Sequence, residues 1–357
     1  CHARMCQSIF GSRWSALERY FTDTLSANEK TTLAVVFSLM LLLGQAAATS
    51  AHAQRPLSPE IEAFIGEVAG RHQFDAGALR RLFAQVQLRP AILRAISAPV
   101  TARPWHEFRT RYVDAARING GTAFWREHAA VLARASREFG VPEEIIVATI
   151  GVETLYGRNL GSHRVLDALV TLAFHYPPRA ELFRSELEEY LLLARETGLS
   201  ATGVRGSYAG AIGIPQFLPS SYRRYAIDFD GDGRRDLISA TADAIGSVAN
   251  YYKAHGWREG EPVVVPAEAG DNGMDALLEL GLRPQLKVAE LKRHGVTPGA
   301  PVDDGAEAAL FVVETENGPR HWLGLNNFYV ITRYNRSVNY ALAVYELARE
   351  LRARFSP

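Results

Sequence analysis

The chain has 357 residues, of which 39 are Lys or Arg and 39 are Asp or Glu, so its formal net charge at pH 7 is zero. This length suits one large domain or two to three small ones with a real hydrophobic core. Because there is no basic excess, nucleic acid and an anionic membrane surface are not indicated as partners.

Residues 1–53 are predicted to be a signal peptide with an upstream extension. An apolar run at 33–43 follows Lys30 and is too short to span a bilayer comfortably. The small-x-small sequence at 51–53 then matches a cleavage site. A retained membrane anchor is the alternative. No cysteine stands at the cleavage point, so we expect a soluble periplasmic protein. Both cysteines would leave with this segment, and no disulfide is expected afterwards.

The next stretch, residues 54–140, is predicted to be a helical domain. Apolar residues recur at helical spacing over 57–93, and the aromatic segments 105–112 and 124–139 continue the pattern. The N-terminal part of the mature chain is therefore expected to be all-α.

A helix with an unusual carboxyl group follows. It is predicted to begin at Pro142, which suits a first helical position, and to end at Gly157. Ile146 and Ile150 share one apolar face, and three residues further along the same face lies Glu153. A carboxyl group on a buried face is unfavourable unless it has a partner or a function.

Two interpretations of Glu153 are open at this point. Burial in apolar surroundings would raise its pKa, so that it could hold a proton near neutrality as a general acid must. An ion pair with Arg158 would instead lower its pKa and give the glutamate a structural role.

Two further helices, at 167–174 and 180–196, lead into an irregular segment at 203–222. Its four glycines and two prolines predict a rigid loop. Ser207, Gln216 and the aromatic residues of this loop would suit a carbohydrate groove, which needs hydrogen bonds and ring faces. The same residue types are also common in ordinary connectors.

A calcium-binding loop of the EF-hand type is predicted at 228–236. Carboxylates stand at loop positions one, three, five and nine, with glycine at position six. The departure is Ser239 at position twelve in place of a bidentate Glu. The expected ligands are Asp228, Asp230, Asp232, the backbone carbonyl of Arg234, Asp236 and, in place of that Glu, Asp243. One structural Ca²⁺ is expected, and the alternative is a solvated acidic turn neutralised by Arg234 and Arg235.

The rest of the chain predicts a small α+β insert and a return to the helical body. The expected elements are a helix at 243–255, strands at 262–266, 309–314 and 320–325, and a short helix at 288–293. The predicted domain bounds are 141–257 for the core, which includes the acidic loop, 258–326 for the small α+β insert, and 327–357 for the segment that returns to the core and ends in a C-terminal helix. No zinc spacing, phosphate-binding loop or Ser-His-Asp order stands out, and no organic cofactor is expected.

Several motifs between residues 105 and 340 resemble the B-type lytic murein transglycosylases. The motifs are Gly151-Val152-Glu153-Thr154 with Tyr156-Gly157-Arg158, Gly206-Ser207-Tyr208-Ala209-Gly210-Ala211-Ile212-Gly213 with Gln216-Phe217, the stretch 243–251, and Arg333-Tyr334-Asn335. The resemblance implies a mainly α, α+β fold with a lysozyme-like core, an N-terminal helical domain and a small β-containing insert. It also implies cleavage of peptidoglycan between N-acetylmuramic acid and N-acetylglucosamine with a 1,6-anhydro product.

The resemblance assigns roles to individual residues. Glu153 would be the single acid that later acts as base, and no second carboxylate of the kind a two-carboxylate glycosidase needs stands out. The implied groove residues are Ser207, Gln216, Tyr251, Tyr334, Asn335 and Tyr340, with Phe108 at an aromatic subsite. Where two adjacent arginines are expected for the stem peptide, this chain has Pro178 and Arg179, so only Arg179 carries over.

Two other functions stay open: a muramidase that hydrolyses the same bond, and a non-catalytic protein that binds the cell wall. The expected partners are peptidoglycan strands, with other cell-wall enzymes as further candidates. Nucleic acid and stable membrane insertion are not expected, and the chain is expected to be a monomer.

Overall fold

The computed structural model describes residues 56–97, 103–270 and 274–355, and helices dominate this part of the chain. The predicted signal peptide lies outside the described residues. Among the described helices, none is long and apolar enough to cross a membrane. The predicted fold class, mainly α with a small β-containing part, is confirmed.

The described helices form two groups in chain order. Those before the core are α1 Pro59–His72, α2 Ala76–Phe83, α3 Pro90–Ser97, α4 Trp105–Tyr112, α5 Ala115–Glu127 and α6 Ala129–Phe139. Those that follow are α7 Glu143–Thr154, α8 Val165–His175, α9 Ala180–Thr197, α10 Pro219–Tyr225, α11 Thr241–Ala254, α12 Met274–Glu279, α13 Val288–Arg293, α14 Asn326–Tyr334 and α15 Val338–Phe355. The side chains of Ser58, Asp75 and Asp114 cap α1, α2 and α5 by accepting a backbone N–H from the first turn.

Helix α7 runs through the centre of the fold. Residues 145–152 are all buried, and the helix packs against α5, α6, α11 and α15. Pro142 stands just before the helix. The predicted end at Gly157 is wrong by three residues, because Leu155 already adopts a left-handed backbone with a φ of 51°. Leucine is a poor signal for a helix stop, since glycine is the usual residue in that conformation.

The glycine-rich loop between α9 and α10 is irregular up to residue 218, but its predicted end at Tyr222 is wrong because α10 begins at Pro219. Short backbone pairings hold the loop. Strand β1, His163–Arg164, pairs antiparallel with β2, Arg205–Gly206. Two isolated bridges then join Ile212 to Gly206 and to Phe217. The loop is thereby folded onto itself beside the end of α7.

The β-containing insert is an antiparallel sheet in the order β4-β6-β7-β3-β5. Its strands are β3 Val264–Ala269, β4 Leu286–Lys287, β5 Val296–Pro298, β6 Glu307–Thr315 and β7 Gly318–Gly324. Strands β3, β6 and β7 and helix α13 are confirmed predictions. Sequence reasoning missed β4 and β5, which are too short to show an alternating pattern, and also α12.

After the insert, α14 and α15 return to the helical body. Helix α15 packs along α7 and also contacts α4 and α5. This packing brings the first turn of α15 to the end of α7, where the chemistry is expected. The domain boundaries at 140, 257 and 326 remain predictions.

Candidate active site

Glu153 lies in the last turn of α7 and is only partly exposed. Its Oε1 accepts a hydrogen bond of 2.6 Å from the hydroxyl of Tyr340, in the first turn of α15. Burial raises the pKa of Glu153 from 4.5 to about 7, and the hydrogen bond from Tyr340 opposes this shift with a smaller effect. A carboxyl with such a pKa holds a proton for much of the time near neutral pH.

The ion pair proposed as the alternative for Glu153 is not formed. Arg158 is exposed, and within the described ranges no Lys, Arg or His makes an ion pair with the Glu153 carboxylate. The shift in the pKa of Glu153 is accounted for by burial and by Tyr340. Of the two interpretations of this residue, the structure therefore favours the neutral acid.

Aromatic rings form the wall beside Glu153. The rings of Tyr334 and Tyr340 are stacked, with centroids 6.3 Å apart and planes at 17°. Tyr251 lies 4.8 Å from Tyr334, and Phe217 lies 5.4 Å from Tyr251. These rings supply the apolar surroundings that disfavour ionisation of the glutamate.

The hydroxyls of this wall are tied to backbone carbonyls and hold neighbouring segments together. Tyr251 donates to the carbonyl of Arg333 at 2.6 Å, and Tyr334 donates to that of Pro215 at 2.6 Å. The wall, the end of α14 and the glycine-rich loop are therefore mutually fixed. Tyr251 and Tyr334 lie at the predicted site, where they contact each other and hold these segments in place.

The glycine-rich loop contributes the two predicted polar residues. The Ser207 hydroxyl oxygen accepts backbone N–H groups from Ala209 and Ala211, at 3.2 and 3.0 Å. Gln216 has a left-handed backbone with a φ of 52°, and its amide nitrogen donates to two carbonyls, those of Leu160 and Gly213. Among the described residues, none donates a hydrogen bond to the amide oxygen of Gln216.

Two other predicted groove residues are exposed. Asn335 follows α14 and its side chain is exposed. Arg179 ends a short 3₁₀ turn and lies over the ring of Phe183, 5.4 Å from its centroid. Their places at the surface suit contacts with a ligand, and those contacts remain a prediction.

Phe108 does not lie at the surface as an aromatic subsite would. Its side chain is 2% exposed and stacks on Tyr112 with ring centroids 4.4 Å apart. Tyr112 is the more exposed of the two rings. The prediction of Phe108 as a stacking surface is corrected: this residue lies beneath Tyr112, one helical turn earlier on α4.

Sequence reasoning missed three residues near the site. Tyr112 follows Phe108 by four positions, so helical spacing was a signal that the two share a face. The hydroxyl of buried Tyr252 lies 2.7 Å from that of Thr149 on α7. No local sequence pattern predicts the contact of Tyr252 with Thr149, because this contact depends on how α11 packs against α7.

The predicted calcium loop brings three carboxylates together. Oxygens of Asp228, Asp230 and Asp232 lie within 4.8 Å of one another, and all three residues are exposed. Their hard oxygen atoms fit a Ca²⁺ ion. None of the described residues makes an ion pair with these three carboxylates, so Arg234 and Arg235 do not neutralise them. The backbone N–H of Arg234 donates to Asp232 instead.

Two predicted ligands stand outside that cluster. Asp236 accepts the backbone N–H groups of Ile238 and Ser239, at 2.8 and 3.0 Å. Asp243 is 1% exposed and accepts N–H groups from Phe229, Asp230 and Asp236. The suggestion that Asp243 completes the ligand set is corrected. Both of its oxygens hold the two ends of the loop, so its role here is structural.

Comparison with known proteins agrees with this geometry. Residues 57–349 match the family model described as Transglycosylase SLT domain. The membrane-bound lytic murein transglycosylase B of Escherichia coli (strain K12) is 41% identical over 302 residues, which is 82% of each chain.

Solved structures show the same likeness. The soluble lytic transglycosylase SltB1 from Pseudomonas aeruginosa is 49% identical, with a TM-score of 0.77, over 84% of this chain and 100% of that one. The E. coli lytic transglycosylase Slt35 in complex with calcium is 40% identical, with a TM-score of 0.76, over 83% of this chain and 94% of that one. This chain therefore belongs to the lytic murein transglycosylases that carry the SLT domain.

Proposed function

We propose that this lytic transglycosylase cleaves the N-acetylmuramic acid–N-acetylglucosamine bond of peptidoglycan with Glu153 as acid and then as base. The observation that carries the proposal is the carboxyl of Glu153, whose pKa of about 7 results from burial and whose partner is a neutral phenol. Such a group can give up a proton and take one back near neutral pH.

In the first step, protonated Glu153 donates its proton to the glycosidic oxygen as the bond from that oxygen to the anomeric carbon breaks. The substrate's own acetamido group stabilises the positive charge that develops at the anomeric carbon. Tyr340 keeps its hydrogen bond to the carboxylate that is formed, and so stabilises the charge left on the enzyme.

In the second step, the Glu153 carboxylate takes the proton of the muramic acid C6 hydroxyl while that oxygen bonds to the anomeric carbon. The 1,6-anhydro ring closes and the glutamate is protonated again, so atoms and charges balance over the cycle. Intramolecular attack is favoured over attack by water because of its high effective molarity. Burial of the carboxyl among aromatic rings further limits the access of water.

The groove residues would hold the glycan strand. The partly exposed aromatic rings of Tyr334 and Tyr112 would contact the apolar faces of the sugars, with buried Tyr251 supporting Tyr334 from behind, while Gln216 and Asn335 supply amide groups for hydrogen bonds. Arg179 is exposed just before α9 and would meet a carboxylate of the stem peptide. We expect the enzyme to act as a monomer.

The loop at 228–236 would bind one structural Ca²⁺ through Asp228, Asp230 and Asp232. The ion would neutralise three crowded carboxylates and stiffen the segment before α11. We place the enzyme in the periplasm, because its substrate lies there and the first 53 residues carry a signal-peptide pattern. Other cell-wall enzymes are candidate partners.

The decisive experiment is digestion of purified peptidoglycan sacculi by the wild type and by Glu153→Gln, with the products identified by mass spectrometry. We expect the wild type to release fragments that end in 1,6-anhydro-N-acetylmuramic acid and the variant to release essentially none. Reducing ends in place of anhydro ends would identify a muramidase. Undiminished release by Glu153→Gln would show that another residue is the acid.

A further inference from the structure

The turn that follows α7 has three successive residues in the left-handed region. The φ angles are 51° at Leu155, 63° at Tyr156 and 80° at Gly157. Residues other than glycine are uncommon there, because Cβ approaches the following carbonyl. Two such residues in succession, directly after the turn that carries Glu153, need contacts that hold them.

The side chain of Tyr156 supplies those contacts. Its hydroxyl donates a hydrogen bond of 2.7 Å to the carbonyl of Arg117 on α5. Its ring lies in a slot between α5 and α7, where a Cβ on Gly121 would come within 2.3 Å of the hydroxyl and one on Gly151 within 2.4 Å. The slot exists because both positions are glycine, so Tyr156 joins the two helices at close approach.

Arg117 binds the same part of α7 a second time. Its Nε donates to the carbonyl of Gly151 at 3.2 Å, two residues before Glu153. The guanidinium is held in turn by the carbonyl of Arg111 and the carboxylate of Asp114, each at 2.8 Å. A cation that binds carbonyls at a helix C-terminus also interacts favourably with the helix dipole.

The other side of the turn is anchored to the glycine-rich loop. The Thr154 hydroxyl donates to the carbonyl of Ile214 at 2.8 Å and accepts the backbone N–H of Gly157. Glu153 thus stands between residues that are fixed to α5 on one side and to the groove loop on the other. These contacts fix the backbone from which the Glu153 side chain reaches Tyr340.

We propose that Tyr156 is a positioning residue, whose anchoring of the α7 C-terminus holds the Glu153 carboxyl within hydrogen-bond reach of Tyr340. Its effect on catalysis rests on the proposed function of Glu153, whereas its effect on the Glu153–Tyr340 contact does not. A phenol bonded to a backbone carbonyl touches neither substrate nor the reacting atoms, so it acts through Glu153.

The test is Tyr156→Phe in the full chain, which keeps the ring in its slot and removes the hydrogen bond to Arg117. We would follow the titration of Glu153 by carbon-13 NMR and measure kcat and KM on glycan strands.

The pKa of Glu153 should rise, as in Tyr340→Phe, because in both variants the hydrogen bond that stabilises the carboxylate is weakened. In Tyr156→Phe/Tyr340→Phe the pKa should be no higher than in Tyr340→Phe. The kcat should fall by roughly tenfold with little change in KM. A displacement of a catalytic group by about 1 Å costs about 100-fold, and we expect the carboxyl of Glu153 to move by less than that.

A matched control is Tyr190→Phe, since the buried Tyr190 hydroxyl also donates to a backbone carbonyl, that of Ala201, at 2.8 Å. This control should lower the melting temperature and leave the Glu153 titration unchanged. Gly121→Ala would place a Cβ 2.3 Å from the Tyr156 hydroxyl and 2.6 Å from the Leu351 side chain on α15, so it should act in the same direction as Tyr156→Phe with a larger loss of stability.

The positioning role is overturned if Tyr156→Phe lowers stability but leaves both the Glu153 titration and kcat as in the wild type. Because the titration does not depend on activity, it also separates this inference from the proposed function. Full activity of Glu153→Gln would reject the catalytic role of Glu153 and leave the positioning result standing.

Discussion

The Tyr340 hydroxyl donates a 2.6 Å hydrogen bond to a Glu153 carboxylate oxygen from a position 187 residues later in the chain. The contact joins the first turn of α15 to the last turn of α7. It acts against the dominant effect on this carboxyl, which is burial. The balance between the two sets the pH range in which Glu153 can donate a proton.

Tyr340→Phe should raise the pKa of Glu153 above about 7, because it removes a donor that stabilises the carboxylate and leaves the apolar surroundings in place. The pH at which activity falls on the alkaline side should therefore move upward. The first step should slow, since Glu153 becomes a weaker acid and the carboxylate that this step forms is less well stabilised. The pH profile of kcat and the carbon-13 titration of Glu153 measure these changes.

Tyr252→Phe is a suitable control for that titration, because the Tyr252 hydroxyl is engaged with Thr149 and not with Glu153. We expect a smaller change in the pKa of Glu153 than in Tyr340→Phe. A shift to lower pH in Tyr340→Phe would contradict the assigned direction of this hydrogen bond.

Glu153→Gln should be more stable than the wild type above pH 7 and about equally stable near pH 4. The folded-state pKa is raised from 4.5 to about 7, so the folded state binds more protons than the unfolded state between these values. The free energy of unfolding of the wild type therefore falls as pH rises through this window. The amide carries no charge and avoids this loss, which is about 3 kcal/mol.

Urea unfolding of both proteins at pH 4, 6 and 8 measures the difference. The Gln side chain can still accept the hydrogen bond from Tyr340, so the comparison isolates the charge. A constant difference across the three pH values would show that Glu153 titrates normally in the folded protein.

Tyr112→Ala and Phe108→Ala should have different effects, although the two rings are stacked on one helix. Truncation of buried Phe108 leaves a cavity and should lower the free energy of unfolding by about 3–5 kcal/mol. Truncation of the more exposed Tyr112 should change stability less and weaken binding of glycan strands by roughly tenfold. Thermal melts and binding to sacculi separate the two effects. Equal binding by Tyr112→Ala and the wild type would exclude Tyr112 as a sugar contact.

Calcium should raise the melting temperature of the wild type, and Asp232→Asn should abolish this response with little effect on the metal-free protein. Asp232 is exposed and belongs to the three-carboxylate cluster. Binding of an ion to the folded state alone stabilises it by mass action.

Asp243→Ala should instead destabilise the metal-free protein, by about 2–3 kcal/mol, because three backbone N–H groups lose their acceptor. Differential scanning calorimetry with chelator and with added Ca²⁺ distinguishes the two variants. If Asp243→Ala leaves the metal-free melting temperature unchanged, its structural role is refuted.

Much of the site could be predicted because its signals are local. Helical spacing placed Glu153 on α7, and the spacing of Asp228, Asp230 and Asp232 predicted their convergence, since a short loop brings near neighbours together. The same local logic failed for Asp243, and the family resemblance failed for Phe108. Whether an aromatic ring is a surface or a core element, and whether a carboxylate faces an ion or backbone amides, depends on what packs against it.

The sequence by itself determined the helical body, the small β-containing insert, the acidic loop and the position of Glu153 on the apolar face of its helix, because periodicity, turn residues and loop spacing act over a few residues. The tertiary structure decided the state of that glutamate. Its partner proved to be Tyr340, from the opposite end of the chain, rather than the nearby Arg158. The pKa of Glu153 is set by desolvation and hydrogen bonding, which depend on the side chains that surround it in the folded protein. Those side chains come from distant parts of the chain, so no short stretch of sequence predicts them.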